Sequence, residues 1–459
     1  MPTTETTSPA APAILDLTQI RAQFPSLSQT INNHPAVFLD GPGGTQVPQR
    51  VIDAISNYLR RDNANTGGAY ATSRNTDAML AEARAAMADF LNCAADEIVF
   101  GPNMTTLTYA ISRAFGREIS GRDFGAGDEI LVTRLDHDAN VSPWLALEEQ
   151  GATIRWAEIQ EDDCTLDLDD LASKINPRTK LVAIGYASNA VGTINPVKEI
   201  VRLAHAAGAL AYVDAVHYGP HGLIDVKDLD CDFLVCSTYK FFGPHMGVLY
   251  GKREHLQRLH PYKVRPLTDS VPNRWEWGTL NHECIAGITA CVNYIADLGR
   301  RSVTNQEIAA AHLGTAAPGC PSSEARPSVP SPRRAAIVAA FEAIHRHERS
   351  LMERLIAGLK QIPNLKIYGI TDPARFNERC PTLAVRVINQ TPDQTPLALA
   401  AKLGEQGFFT WDGNYYALKL TERLDVEKSG GFLRIGLVHY NTAEEVDRLL
   451  SALRDITAE

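Results

Sequence analysis

The stretch DFLVCSTYKFFGPHMGVLYG, residues 232–251, places Lys240 in a polar Ser-Thr-Tyr run between two apolar segments that read as buried strands. Lysine is among the residues least often buried without a partner. An ammonium is a poor nucleophile, and an apolar crevice that depresses its pKa turns it into a reactive amine. Upstream, YVDAVHYGPH (212–221) ends an apolar run with Asp214 and follows it with His217. His137 sits in LDHDAN, Asn189 in YASNAVG, and GPNMTT (101–106) has the look of a helix start. Taken singly, these are a snorkelling lysine, a strand-end cap, a loop histidine, a turn asparagine and an N-cap. Their order along the chain gives them a second meaning, provided that the fold gathers them.

The elements that must do so are legible as an alternation. EIVFG (97–101), EILVT (129–133), TIRWAEI (153–159), KLVAIGYA (180–187), ALAYVDA (209–215), FLVCS (233–237) and GVLYG (247–251) read as strands. Several are apolar throughout, as expected of a sheet covered on both faces. Amphipathic stretches such as TTLTYAISRAF (105–115) and PVKEIVRLAHAAG (196–208) lie between them. The second runs from Pro near its start to Gly past its end, the usual helix punctuation. This predicts an α/β fold with a mainly parallel sheet. Ligands bind beyond the carboxyl ends of such strands, which selects Asp214 and the Ser237–Lys240 run.

The texture changes after residue 282. ECIAGITACVNYIADLGRR reads as a helix, and the Pro/Ser/Gly-rich stretch 313–334 as a flexible insertion. A long helix over 335–361, strands LKIYG, TLAVRVI and GFLRIGL, and helices near 395–406 and 442–456 predict a smaller α+β domain. The expected organisation is a disordered tail over 1–14, an N-terminal segment (15–47) packing on the small domain, a large domain over 48–300, the 313–334 insertion and a small domain over 335–459.

The 459 residues carry a net charge of −10, which leaves no basic surplus for nucleic acid. No apolar stretch has spanning length, so no membrane contact is expected, and the first residues lack the features of a secretory signal. The eight cysteines form no CxxC pair and no zinc-type spacing, so no metal is expected. Their scatter through apolar surroundings fits a reducing, cytoplasmic setting.

In chain order, the helix start, His137, Asn189, Asp214 and Lys240 resemble the aspartate-aminotransferase-fold enzymes that use pyridoxal 5′-phosphate. More narrowly they resemble the class V aminotransferase group, which includes the cysteine desulfurases. YVDAVHYGPH and CSTYKFFGP (236–244) carry the likeness, backed by LDHDANVSPW (135–144) and WGTLNHECIAGI (277–288). It covers about residues 37–300 and 335–457. The resemblance implies a Schiff base between the cofactor and Lys240, with Asp214 facing the pyridine nitrogen and keeping the ring protonated. It implies that His137 stacks on the ring, and that Asn189 and His217 contact the phenolic oxygen. The phosphate would lie at the helix start, on Met104 and Thr105, with Ser237 and Tyr239 adding hydroxyls. In the family a Gly-Thr pair reaches the phosphate from a second subunit, which points to Gly278 and Thr279 and to a homodimer. Arg434, in FLRIGLVHYNTAEEVDRLL (432–450), would clamp the substrate's carboxylate.

One departure matters. Cysteine desulfurases carry sulfur on a thiolate in a small-domain loop, and the matching segment here, TWDGNYYALKL (410–420), has Tyr416 at about that place. A phenol cannot hold persulfide sulfur. Cys320 and Cys380 are weak substitutes: one lies in the insertion, the other at a strand start. Transamination or carbon–sulfur β-elimination on an α-amino acid is therefore expected rather than persulfide-forming desulfuration. Epimerisation or racemisation on the same scaffold, and a non-catalytic scaffold protein, are the alternatives. Trp411, Tyr415 and Tyr416 could line a pocket for a sizeable or apolar side chain. A nicotinamide enzyme is disfavoured, because GPGG (41–44) has the wrong spacing and no following βαβ unit.

Overall fold

The structure is a computed structural model that describes residues 15–117, 127–302 and 330–458. The expected tail (1–14), most of the 313–334 insertion and Cys320 lie outside the described residues.

Seven strands form the central sheet: β1 (Ile98–Gly101), β2 (Glu129–Thr133), β3 (Thr153–Ala157), β4 (Thr179–Gly185), β5 (Leu210–Asp214), β6 (Phe233–Ser237) and β7 (Gly247–Gly251). Their spatial order is β1-β7-β6-β5-β4-β2-β3. Pairing is parallel from β6 through β5, β4 and β2 to β3, and only β7 runs against its neighbours. The apolar runs have a simple cause. Along β5, Ala211 and Val213 join one buried cluster while Tyr212 joins another, and Leu131 separates from Ile130 and Val132 in the same way along β2. Successive side chains point to opposite faces, both faces are covered, and so neither position can be polar.

A second, antiparallel sheet orders as β8 (Leu365–Tyr368), β9 (Thr382–Val387), β11 (Phe432–Gly436) and β10 (Trp411–Gly413). Its core joins Leu383, Val385, Leu433 and Ile435 to the helix Pro332–Leu359 and the last helix, Ala443–Ala458. The long helix thus begins at Pro332, inside the stretch expected to be insertion, where Ser331 accepts a capping bond from the Arg334 amide. The N-terminal segment reaches this unit directly: Val37–Phe38 pairs with Phe408–Phe409, and Asp40 bridges Gly436.

Two helices before β1, Gln49–Arg61 and Ala71–Leu91, have no counterpart in the sequence reading. They pack beside His282–Ser302, which in turn lies along Pro332–Leu359. That last contact is close: a Cβ on Gly299 would stand 1.8 Å from the Ala336 carbonyl oxygen, which is backbone and cannot swing away. Gly299→Ala is expected to destabilise the fold by about 1–3 kcal/mol, the usual cost of overpacking. A denaturation midpoint equal to that of the native chain would show that the helices separate freely.

Candidate active site

The carboxyl ends of β4, β5 and β6 converge on one pocket, and most of the residues singled out by sequence line it. Met104, Thr105, His137, Asn189, Asp214, His217, Ser237, Tyr239 and Lys240 all contribute, together with Pro42 and Asp136. Lys240 follows β6 in a single helical turn, where its half-buried Nζ donates to the carbonyls of Pro42 (2.5 Å) and Gly43 (3.0 Å). Burial, aided by the Arg434 charge, lowers its pKa to about 7 against the opposing pull of Asp214 and Asp40. The amine can therefore be neutral near neutral pH, which answers why a lysine is held there.

Asp214 closes β5 and accepts from the Val216 amide at 2.9 Å. Burial raises its pKa to about 6, opposed by that hydrogen bond and by Lys240. Asp136 is a neighbour that the sequence reading missed. Burial and the charge of Asp214 push it up to about 8, one oxygen accepts from the Gly185 amide, and the other has no partner. Two coupled buried carboxyls do not both ionise readily, and burial together with the Asp214 charge favours the protonated form of Asp136. The only sequence signal for Asp136 was its place beside His137.

His137 is neutral at ordinary pH, because burial and the charges of Lys240 and Arg434 lower its pKa to about 4. Its Nδ1 accepts from the Ala139 amide at 3.0 Å, which leaves the ring proton on Nε2. The ring stacks on Tyr416, with centroids 5.3 Å apart and planes 26° from parallel. Tyr415 and Tyr416 both adopt left-handed backbone angles (φ 56° and 61°). Non-glycine residues hold this shape only when their surroundings impose it, at a cost of about 1–3 kcal/mol each. Here the Asn414 side chain accepts from the Tyr416 amide, the Asp138 backbone amide donates to the Tyr416 carbonyl, and the Asn189 side chain donates to the Tyr415 carbonyl at 2.8 Å. The loop where the persulfide thiol would be expected is thus pinned to the large domain, and it presents aromatic rings instead.

Arg434, on β11, is buried with its guanidinium carbon 4.1 Å from the centre of the Tyr415 ring. One nitrogen donates to the Asn189 carbonyl at 3.0 Å, and Nε has no partner. Burial lowers its pKa to about 10. Gly278 and Thr279 stand elsewhere: they are exposed and line a separate cavity with Trp275 and His245.

The residues present suit pyridoxal phosphate. Ser237 Oγ and Asn189 Oδ1 are buried polar atoms with no partner of their own, and native interiors rarely leave such atoms unpaired. Ser237 can donate to an anion beside the first turn of the helix Met104–Phe115, and Asp214 offers a carboxylate to a protonated ring nitrogen. His217 and Cys380 come together with His221 behind the pocket, an approach that residues 163 positions apart do not advertise. Cys380 is 2% exposed, and burial raises its thiol pKa well above the ordinary value, so it is not an activated nucleophile. Among the described residues no helix is long and apolar enough to cross a membrane.

The family model for class-V aminotransferases matches residues 37–317 and 336–449. A cysteine desulfurase of Pectobacterium atrosepticum is 31% identical over 455 residues, covering 95% of this chain and 97% of that protein. One from Serratia proteamaculans is 30% identical over 454 residues, covering 95% and 97%. The solved cysteine desulfurase of Thermococcus onnurineus superposes with a TM-score of 0.78 at 24% identity, covering 97% of this chain and 98% of that one, which bears on the fold. These similarities favour neither an epimerase nor a non-catalytic scaffold. On the strength of the family match and of relatives aligned nearly end to end, the chain belongs to the class-V aminotransferases, enzymes of the pyridoxal-phosphate-dependent fold type I.

Proposed function

We propose that this enzyme cleaves a carbon–sulfur bond of a cysteine-type α-amino acid by β-elimination, with no thiol on the Tyr416 loop to receive the sulfur. Its relatives are named cysteine desulfurases. The observation that carries the reading is Tyr416, an exposed phenol on a pinned loop over His137, where the family pattern calls for a cysteine.

Bound through Lys240, pyridoxal phosphate supplies an electron sink that acidifies the substrate's Cα. Every other task falls to the protein. Arg434 offers the substrate carboxylate a planar fork with no competing carboxylate partner among the described residues. Asp214 offers negative charge in the pocket, and burial together with that charge favours the protonated form of its neighbour Asp136. Lys240, with its pKa near 7, can take the Cα proton and pass it to the departing sulfur, which leaves as a thiol. His137 and the ring of Tyr416 shield one side of the pocket from water. The overall change is balanced: the amino acid and one water give a thiol, pyruvate and ammonium. In the same proposal Gly278 and Thr279, exposed in the single chain, reach the phosphate of a partner subunit in a homodimer.

Incubation with L-cysteine and with S-substituted cysteines tests this. Pyruvate and ammonia in equal amounts, with free thiol, are expected. Alanine together with persulfide on the protein would overturn the reading. A 2-oxo acid that keeps its side chain, without ammonia, would replace elimination by transamination and leave the assigned residues standing.

A further inference from the structure

A second site lies behind the pocket. We propose that His217, His221 and Cys380 bind a divalent transition-metal ion of the zinc type, with Glu348 orienting His221. One ring nitrogen of each histidine and the Cys380 sulfur lie within 4.8 Å of one another. An ion between three such atoms stands within about 2.8 Å of each, so shifts of roughly 0.5–0.8 Å would reach the ~2.0–2.3 Å of zinc–nitrogen and zinc–sulfur bonds. Two imidazoles and a thiolate are the borderline-soft donors that zinc takes, and three protein ligands leave a fourth position for water.

Two further observations separate this cluster from a chance meeting of buried side chains. His217 is 4% exposed, and its Nε2 has no hydrogen-bond partner. Glu348 is 2% exposed and accepts from or donates to His221 Nδ1 at 2.8 Å, while its other oxygen has no partner. A carboxylate on the far nitrogen of a histidine fixes the ring's tautomer and turns the other nitrogen toward a metal, the usual outer support of a histidine ligand. The neighbouring Arg379 is committed to the carbonyls of Val191, Ile370, Cys380 and Thr382. A cavity shared by His221, Glu348 and Cys380 extends to His345 and Asn377, which are exposed, and so offers a path from solvent. Since His217 also lines the Lys240 pocket, coordination would lock its ring and leave its second nitrogen for that pocket.

The test uses the intact holoenzyme. After chelator treatment, reconstitution with zinc and desalting, the native protein is expected to retain one zinc per chain by elemental analysis. Cys380→Ala and His221→Ala should each lose it, and Glu348→Gln should weaken affinity roughly 10–100-fold. Cobalt in place of zinc should show a thiolate-to-cobalt charge-transfer absorption that vanishes in Cys380→Ala and shifts in His221→Ala, so that either variant decides if the other fails to fold. Native protein that retains no zinc, a cobalt form without that absorption, or undiminished zinc in both variants would overturn the site. These readouts do not depend on which amino acid the enzyme processes.

Discussion

Lys240→Ala is expected to abolish borohydride-stable attachment of pyridoxal phosphate and to cut turnover at least about 10²–10⁴-fold, the range for losing a positioned proton-transfer group alone. The fold should survive, because among the described residues the Nζ atom donates to the carbonyls of Pro42 and Gly43, lies over the Tyr239 ring and holds no carboxylate. The reaction of the lysine with an aldehyde needs the neutral amine. With a pKa lowered to about 7, chiefly by burial and then by Arg434, that form is scarce below pH 7 and dominant above it. Cofactor capture by the cofactor-free native protein should therefore accelerate as pH rises through about 7 and level off above pH 8. Stopped-flow absorbance measures this directly. A midpoint near 10.5 would mean that the crevice does not act on the amine. An alanine variant that still formed the borohydride-stable adduct would remove Lys240 from its role altogether.

The strands and the pocket residues were readable for one reason, and the rest was hidden for another. A strand covered on both faces is apolar through its middle, so β2, β4, β5 and β6 announce themselves as runs of three to five apolar residues. Once strand ends are known, the residues just past them are candidates, and Asp214 and Lys240 are such residues. The order of the strands is different. Nothing in GVLYG says that it slots between β1 and β6 against the direction of both, because that depends on long-range pairing. The helix Ala71–Leu91 escaped because small alanines and polar residues share its buried face, which leaves a weak apolar stripe. Asp136 escaped because its charge state is set by burial and then by Asp214, from a strand two places away in the sheet. The left-handed pair Tyr415–Tyr416 could not be read from residue type, since tyrosine avoids that conformation and bonds with Asn414, Asp138, Asn189 and Phe432 hold it there.

Arg434→Met should separate binding from stability. In the ligand-free chain, Arg434 is a buried cation with no carboxylate at ion-pair distance among the described residues. Its only hydrogen bond there is to the Asn189 carbonyl, and it lies over the face of Tyr415. Such a group is costly: burial lowers its pKa to about 10, which measures how poorly the site tolerates the charge in isolation. Replacement by an apolar side chain of similar length removes that cost, so the cofactor-loaded variant is expected to match or exceed the native denaturation midpoint. Catalysis should move the other way. Loss of a buried charge partner typically costs 2–5 kcal/mol, so kcat/KM for the amino acid should fall roughly 30- to 4,000-fold, mostly through KM, with cofactor content unchanged. Arg434→Lys keeps the charge and loses the planar fork, and should recover only part of the affinity. A methionine variant that is strongly destabilised yet binds substrate normally would make Arg434 a structural residue of β11 and would send the search for the carboxylate clamp elsewhere.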